Sequence, residues 1–345
     1  MEIAGKVIGR PGEVYIIAEG GVNHNGDPEL ARQLVEAAAA AGADAVKFQT
    51  FEPKLLVSAS AARADYQKAA EPGEESQEHM LQRLVLPVEV LAALKPRCEE
   101  LGIALMSSPF DEGSADKLRA IGVPAIKISS GEATNYGLLR RVAEFGLPVI
   151  VSTGMSTLAE VESAVRCLEE AGAADIALLH CVSSYPAPHE QTNLKVMGSL
   201  RQLFGLPTGY SDHTLGHHVT VGAVAMGAEL IEKHLTLDRN LPGPDHSCSI
   251  EPDELAALVS QCREMARALG DGHKHVMPCE QNTRQAARRS ITAARDIPAG
   301  AALTAEMLTL KRPGTGIHPM ELEHILGRKV SRDLPADATV TWDDL

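Results

Sequence analysis

The chain has 345 residues, 44% of them hydrophobic, and its 46 acidic against 32 basic side chains give a formal net charge of −14. With no basic run to oppose that balance, nucleic acid and anionic membranes are excluded as expected partners. No stretch nears the ~18 consecutive apolar residues of a membrane span, and Cys98, Cys167, Cys181, Cys248, Cys262 and Cys279 include no C-x-x-C pair, so the expectation is a cytoplasmic protein. The N-terminal MEIAGKVIGRPGE is too polar for a signal peptide. Next, KVIG and VYII around Arg10-Pro11-Gly12 predict a hairpin capping the bottom of the fold.

From about residue 14 to 268, short β-rich runs alternate with amphipathic helical runs. Strands are predicted at 14–20, 45–50, 104–109, 125–130, 148–154, 176–182, 207–212 and 230–236, with helices including 28–41, 88–100, 158–169 and 253–268. Eight β–α units in order predict a (β/α)8 TIM barrel over 1–268. An open doubly wound sheet would need G-x-G-x-x-G where AEGGVNHNGD stands. The long polar stretch 52–87 follows the second strand, on the face where barrel active sites lie, and reads as a substrate lid, with a functionless insertion as the alternative. Residues 269–282 read as a linker. Residues 283–345, with short strands, turns and a short helix near 319–326, read as a small β-rich domain.

Strand alternation locates the chemistry. In AVKFQT the period of two sends Lys47 and Gln49 into the barrel and Val46 and Phe48 outward; in AIKISS it sends Lys127 and Ser129 inward. Unpaired buried ammonium groups are costly, so two inward lysines imply an anion between them. A buried Lys–Glu network using Glu19 or Glu132 is the competing explanation. Small hydroxyl residues recur at successive strand ends: Ser107-Ser108, Ser129-Ser130-Gly131, Ser152-Thr153-Gly154, Ser183-Ser184 and Ser211. Beside two lysines, that repetition predicts a phosphate cradle.

His213 and His234 stand at the ends of neighbouring strands seven and eight, on the faces carrying Ser211 and Glu232 respectively. Two imidazoles with oxygen or water ligands suit a divalent cation, Mn²⁺ first and Mg²⁺ or Co²⁺ as alternatives. Zinc would more often recruit cysteine, and none lies near either histidine in sequence. Asp245, in the loop after the eighth strand, is a candidate acceptor of sugar hydroxyl hydrogen bonds, with a solvated turn aspartate as the plain alternative. Glu19 and Tyr185 carry the same two readings.

AEGGVNHNGD, GADAVKFQTF, SSPFD, KISSGE, STGMST, LLHCVSSYPAP, GYSDHT, EKHLTLDRNLPGPDH and KRPGTGI occur in the order and spacing of the N-acetylneuraminate (sialic acid) synthase family, which includes the legionaminate synthases. The chain resembles that family over nearly its whole length, including an antifreeze-like (SAF) domain over about 283–345. The resemblance implies a barrel in a domain-swapped homodimer, each small domain covering the partner's active site. It implies attack of phosphoenolpyruvate carbon 3 on the open-chain aldehyde of an N-acyl mannosamine, water addition at carbon 2, and phosphate release by C–O cleavage. By motif position, Lys47, Lys127, Ser130, Ser152 and Ser211 resemble phosphoenolpyruvate contacts, and His213 and His234 the metal ligands. Glu19, Gln49, Tyr185 and Asp245 resemble amino-sugar contacts, and Glu132 a carboxylate near the reacting centre. Arg312 resembles an arginine that reaches the sugar from the other subunit. Some family members carry asparagine where this chain has Ser183-Ser184, so the amide contact transfers to Ser183 as a hydroxyl. A synthase acting on a phosphorylated sugar would need a second phosphate site, for which no spare inward lysine is evident. A non-catalytic sugar- or ice-binding protein would not need the barrel's catalytic elements.

Overall fold

Period-two alternation along eight strands separates two apolar layers. The computed structural model describes residues 1–58, 60–70 and 76–345. It divides into two compact units, Met1–Asp271 and Gly272–Leu345. In the first, a short hairpin of β1 (Glu2–Ile3) and β2 (Lys6–Val7) precedes eight parallel strands: β3 (Tyr15–Gly21), β4 (Ala45–Thr50), β5 (Ala104–Pro109), β6 (Ile126–Ile128), β7 (Val149–Ser152), β8 (Ile176–Cys181), β9 (Thr208–Asp212) and β10 (Leu230–His234). They close in sequence order into a barrel, β10 pairing with β3. Outward residues such as Ile16, Val46, Phe48, Ile126, Ile128, Val151 and Ile231 pack against the helices, while Ile17, Ala45, Met106, Ile150, Leu179 and Leu230 fill the lower interior.

The helices follow the strands as predicted, in chain order: α1 (Pro28–Ala40), α2 (Pro53–Leu56), α3 (Asp65–Ala70), α4 (Gln77–Arg83), α5 (Val88–Leu101), α6 (Glu112–Ile121), α7 (Tyr136–Ala143), α8 (Leu158–Glu170), α9 (Val196–Phe204), α10 (His218–Ala225) and α11 (Pro252–Ala268). Their starts carry the expected chemistry. Asp27 accepts from Glu29 N at α1, and Thr157 with Glu160 forms a capping box at α8.

Two expectations change. The hairpin turns at Ala4-Gly5, both at positive φ (49° and 80°), and not at Arg10-Pro11-Gly12. A two-residue loop with both central residues left-handed matches the twist of an antiparallel pair, whereas VYII belongs to the barrel strand β3. Its Ile3 and the following Ile8 still plug the lower interior. The stretch 52–87 is not a bare loop either. It carries α2, α3 and α4, and Met80 and Leu84 pack on Val22 and Phe51, so apolar contacts hold it to the barrel. Residues 59 and 71–75 of the expected lid lie outside the described residues.

The second unit contains α12 (Gln281–Ala287), β11 (Ser290–Ala293) paired antiparallel with β12 (Leu308–Lys311), and α13 (Leu322–Ile325) around a core of Ile291, Ile297, Leu303, Ile317, Ile325 and Val340. Among the described residues no helix is long and apolar enough to cross a membrane.

Candidate active site

Above the apolar plug, the barrel interior turns polar and opens at the strand C-termini into a cavity of about 530 Å³, a size typical of small-molecule sites. Glu19, Lys47, Gln49, Lys127, Ser130, Glu132, Ser152, Ser183, Tyr185, Ser211, His213 and His234, all expected from the sequence, line it. Asp245 does not. Its carboxylate is buried beside His234, 3.9 Å from Nδ1, and burial raises its pKa to about 6. Arg312 belongs to the second unit, where it is exposed. Another cavity, about 500 Å³, lies beneath the barrel, but its buried Asp44 is already clasped by Lys6 (2.5 Å) and Arg263 (3.1 Å), the pattern of a structural base.

The two inward lysines do have an anion between them, and the chain supplies it. Glu232 of β10 lies 3.8 Å from Lys47 Nζ and 3.6 Å from Lys127 Nζ, and its Oε1 accepts from Ser211 Oγ at 3.1 Å. Glu19 pairs with Lys47 at 2.5 Å. The competing Lys–Glu network is therefore present through Glu19 and Glu232. Glu132 does not join it; that half-buried carboxylate accepts from Asn135 at 2.7 Å at the cavity wall, and burial raises its pKa. Burial also raises Glu19, the Lys47 ammonium opposing without cancelling it. Burial works the same way on Glu232, but there Lys127 and Lys47 prevail and hold it well below the usual carboxylate range. Lys127 itself is lowered by burial despite Glu232.

Around these charges the serines divide. Ser211 is committed to Glu232, and Ser130 Oγ accepts from Gly154 N at 3.0 Å. Among the described residues, the buried hydroxyls of Ser129 and Ser152, at the wall that holds both lysines, meet no hydrogen-bond partner. Such orphaned donors normally find a partner, so a bound acceptor is the natural one. Gly154 permits the close packing here: a Cβ would stand 2.3 Å from Ser183 Oγ and 2.8 Å from Ser130 Oγ.

The paired imidazoles also meet. The His213 and His234 rings lie 5.3 Å apart, and both are buried. His213 Nδ1 bonds Val182 O at 2.9 Å, and among the described residues His234 Nδ1 meets no hydrogen-bond partner. Burial, with His213 and Lys47 adding, holds the His234 pKa well below its ordinary value, so that imidazole is neutral, the form that ligates metals. The donor set thus fits a cation taking two imidazole nitrogens. Among the described residues no group of three or more His, Cys, Asp or Glu side chains could hold a metal, so its other ligands would come from water or substrate.

Cys181, Tyr66, Gln67 and Glu232 line the cavity too, and none of them was among the expected site residues. Cys181 lies 3.7 Å from His213 Nδ1. Tyr66, from α3, stacks on Tyr185 at 4.8 Å, and Tyr185 on His213 at 4.1 Å. Gln67 adds an amide beside Tyr66. Period-two alternation does place Glu232 on the His234 face, so its inward direction was legible. Nothing in the polar lid sequence singled out Tyr66.

Fold and cavity together define a (β/α)8 barrel enzyme whose polar mouth combines buried lysines, free hydroxyls and two open imidazoles. Residues 34–274 match the NeuB family and residues 288–345 the SAF domain. The chain belongs to the NeuB family. It is 46% identical to N,N'-diacetyllegionaminic acid synthase of Legionella pneumophila over 96% of this chain and 94% of that protein. It is 44% identical to the synthase of the same description from Campylobacter jejuni, over 95% and 99%. A solved structure of N-acetylneuraminic acid (sialic acid) synthetase from Leptospira borgpetersenii, in complex with citrate, superposes with TM-score 0.69 at 35% identity, over 79% of this chain and 90% of that one.

Proposed function

We infer that the protein condenses phosphoenolpyruvate with an open-chain N-acyl mannosamine and water, giving a nonulosonate and phosphate. The acceptor is 2,4-diacetamido-2,4,6-trideoxymannose or N-acetylmannosamine; the relatives more than 40% identical that carry a legionaminic name favour the first. The observation that carries the reading is the placement of two buried lysines and two orphaned serine hydroxyls beside two open imidazoles.

Lys47 and Lys127 would grip the phosphate and carboxylate of phosphoenolpyruvate, with Ser130, Ser152 and Ser183 donating from the strand ends and Ser211 lining the subsite while its hydroxyl holds Glu232. Gln49, Tyr185 and Glu19 would fix the acceptor's hydroxyls and amide, and Tyr66 would back Tyr185 from the lid. Holding carbon 3 against the aldehyde is the proximity contribution. Glu132, its pKa raised by burial, would hold or release a proton at the reacting centre. Asp245, whose carboxylate stands 3.9 Å from His234 Nδ1 and acts on both Tyr66 and Tyr185, would steady the imidazole and the tyrosines that face the acceptor. A divalent cation on His213 and His234, Mn²⁺ first, would polarise the aldehyde oxygen, an effect worth several kcal/mol. In a domain-swapped homodimer, Arg312 of the second unit would reach the partner's acceptor.

The test is a panel of both acceptors, and a nucleotide-linked form, with phosphoenolpyruvate and Mn²⁺, products read by mass. A preference of about 100-fold in kcat/KM, ~2.7 kcal/mol, identifies the acceptor. Absence of phosphate release with every acceptor defeats the assignment.

A further inference from the structure

Among the described residues, Glu232 is the carboxylate that reaches both barrel lysines. Its geometry is that of attraction without a clamp. At 3.8 and 3.6 Å it stands beyond the ~2.7–3.2 Å of a direct N–H···O bond. Ser211 anchors Oε1 at 3.1 Å, and among the described residues Oε2 meets no hydrogen-bond partner. Lys127 Nζ, for its part, donates only to Ile128 O at 3.2 Å among the described groups. Glu19, by contrast, stands 2.5 Å from Lys47 Nζ, in ion-pair contact. The ammonium donors that face Glu232 are therefore neutralised but not used up.

We propose that Glu232 is the internal counter-anion of the phosphate subsite, occupying the field of both lysines in the empty enzyme and reclaiming it to displace the product phosphate. This rests on reading Lys47 and Lys127 as phosphate ligands. Two buried ammonium groups with no anion would lose protons or order, so a fixed carboxylate keeps the empty site charged and in place. An entering phosphate then shares those lysines with a carboxylate that cannot leave. Like charges in one buried cluster lower the affinity for any phosphate. Phosphoenolpyruvate offsets the repulsion with its own carboxylate and its remaining contacts. Free phosphate, once the C–O bond has broken, has no such offset and departs. Glu232 is thus a positioning residue that exchanges some binding strength for release.

The test is calorimetric titration of inorganic phosphate into the full-length protein in metal-free buffer, with product inhibition by phosphate measured in the assay above. Glu232→Gln removes the charge with little change in shape, and phosphate should bind about 10- to 100-fold more tightly, with its inhibition constant falling in step and kcat decreasing. Glu232→Asp withdraws the carboxylate by one methylene and should tighten phosphate by a smaller factor, so it decides by sign even if the glutamine variant fails to fold. Equal or weaker phosphate binding in the folded variants overturns the proposal, because a purely structural role gives that outcome. Lys127→Met separates the underlying reading: if it leaves phosphate affinity of the otherwise wild-type protein unchanged, the lysines are not the subsite and both inferences fall.

Discussion

Gly154→Ala tests the cradle with one methyl group. No positive φ constrains this glycine, so alanine suits the backbone and the cost comes from contact. The added Cβ would stand 2.3 Å from Ser183 Oγ, 2.8 Å from Ser130 Oγ and 3.2 Å from Cys181 Sγ. The two hydroxyls must swing away, and the 3.0 Å bond from Gly154 N to Ser130 Oγ lengthens or breaks. Overpacking of this kind costs ~1–3 kcal/mol, lowering Tm by about 2–4 °C per kcal/mol in a domain this size. Function should suffer more selectively. A hydroxyl donated to a charged phosphate is worth ~1.5–3 kcal/mol, so displacing it should raise KM for phosphoenolpyruvate by about 10- to 150-fold. Steady-state kinetics with phosphoenolpyruvate varied, alongside a thermal melt, gives both quantities. A folded variant with unchanged KM refutes the idea that these strand-end hydroxyls hold the phosphate.

Arg312→Ala should depress turnover while the melt and the metal content stay as in the wild type; unchanged kinetics removes Arg312 from the acceptor site. His213→Gln and His234→Gln should each lower bound Mn²⁺ per chain, measured by elemental analysis after dialysis, whereas Asp245→Asn, which leaves both imidazoles in place, should retain most of it. Stability should fall on acidification through His24, whose burial lowers its pKa from 6.5 to about 4. The folded state prefers neutral imidazole, so this contribution is complete above pH 6.5 and is lost as pH falls towards 4, roughly 3 kcal/mol at ~1.4 kcal/mol per pH unit. Chemical denaturation at several pH values should show that slope, and His24→Asn should flatten it.

The barrel was legible because each strand is a short apolar or alternating run bounded by turn residues. Predicted 45–50 and 104–109 coincide with β4 and β5. The face of Lys47 was legible too, since Val46 and Phe48 admit only one orientation against the helices. Partners were harder. Alternation tells which way Glu232 points but not that Lys47 and Lys127, from strands far apart in sequence, converge on it. The hairpin was misplaced because two β-rich segments flanking a Pro-Gly pair look like the stronger turn, while the actual turn needs only the left-handed Ala4 and Gly5. For Asp245 the motif suggests a candidate role but not its neighbours: its carboxylate stands 3.9 Å from His234 Nδ1, while Ser249 Oγ donates to its backbone carbonyl at 2.6 Å beside a short 3-10 turn. The lid concealed its contribution most thoroughly, because Tyr66 gains meaning only from the ring of Tyr185 that it meets.

The same strands carry stability at one level and chemistry at the next, and this constrains what the site can become. Below, Ile17, Met106, Ile150 and Leu179 fill the interior without polar atoms, and Ile3 and Ile8 seal it. One residue pair further along each strand, the inward positions become Glu19, Lys47, Lys127, Ser152, Ser211 and Glu232. A chain of net charge −14 could not hold an anion there by its overall field. On the proposed reading it would do so by burying cations where water cannot screen them, and burial in turn demands internal carboxylates. Glu19 and Glu232 answer that demand in different ways, one at 2.5 Å from Lys47 and one held by Ser211 at 3.6 and 3.8 Å from Lys127 and Lys47, and in the proposed mechanism that second gap is where the phosphate would enter.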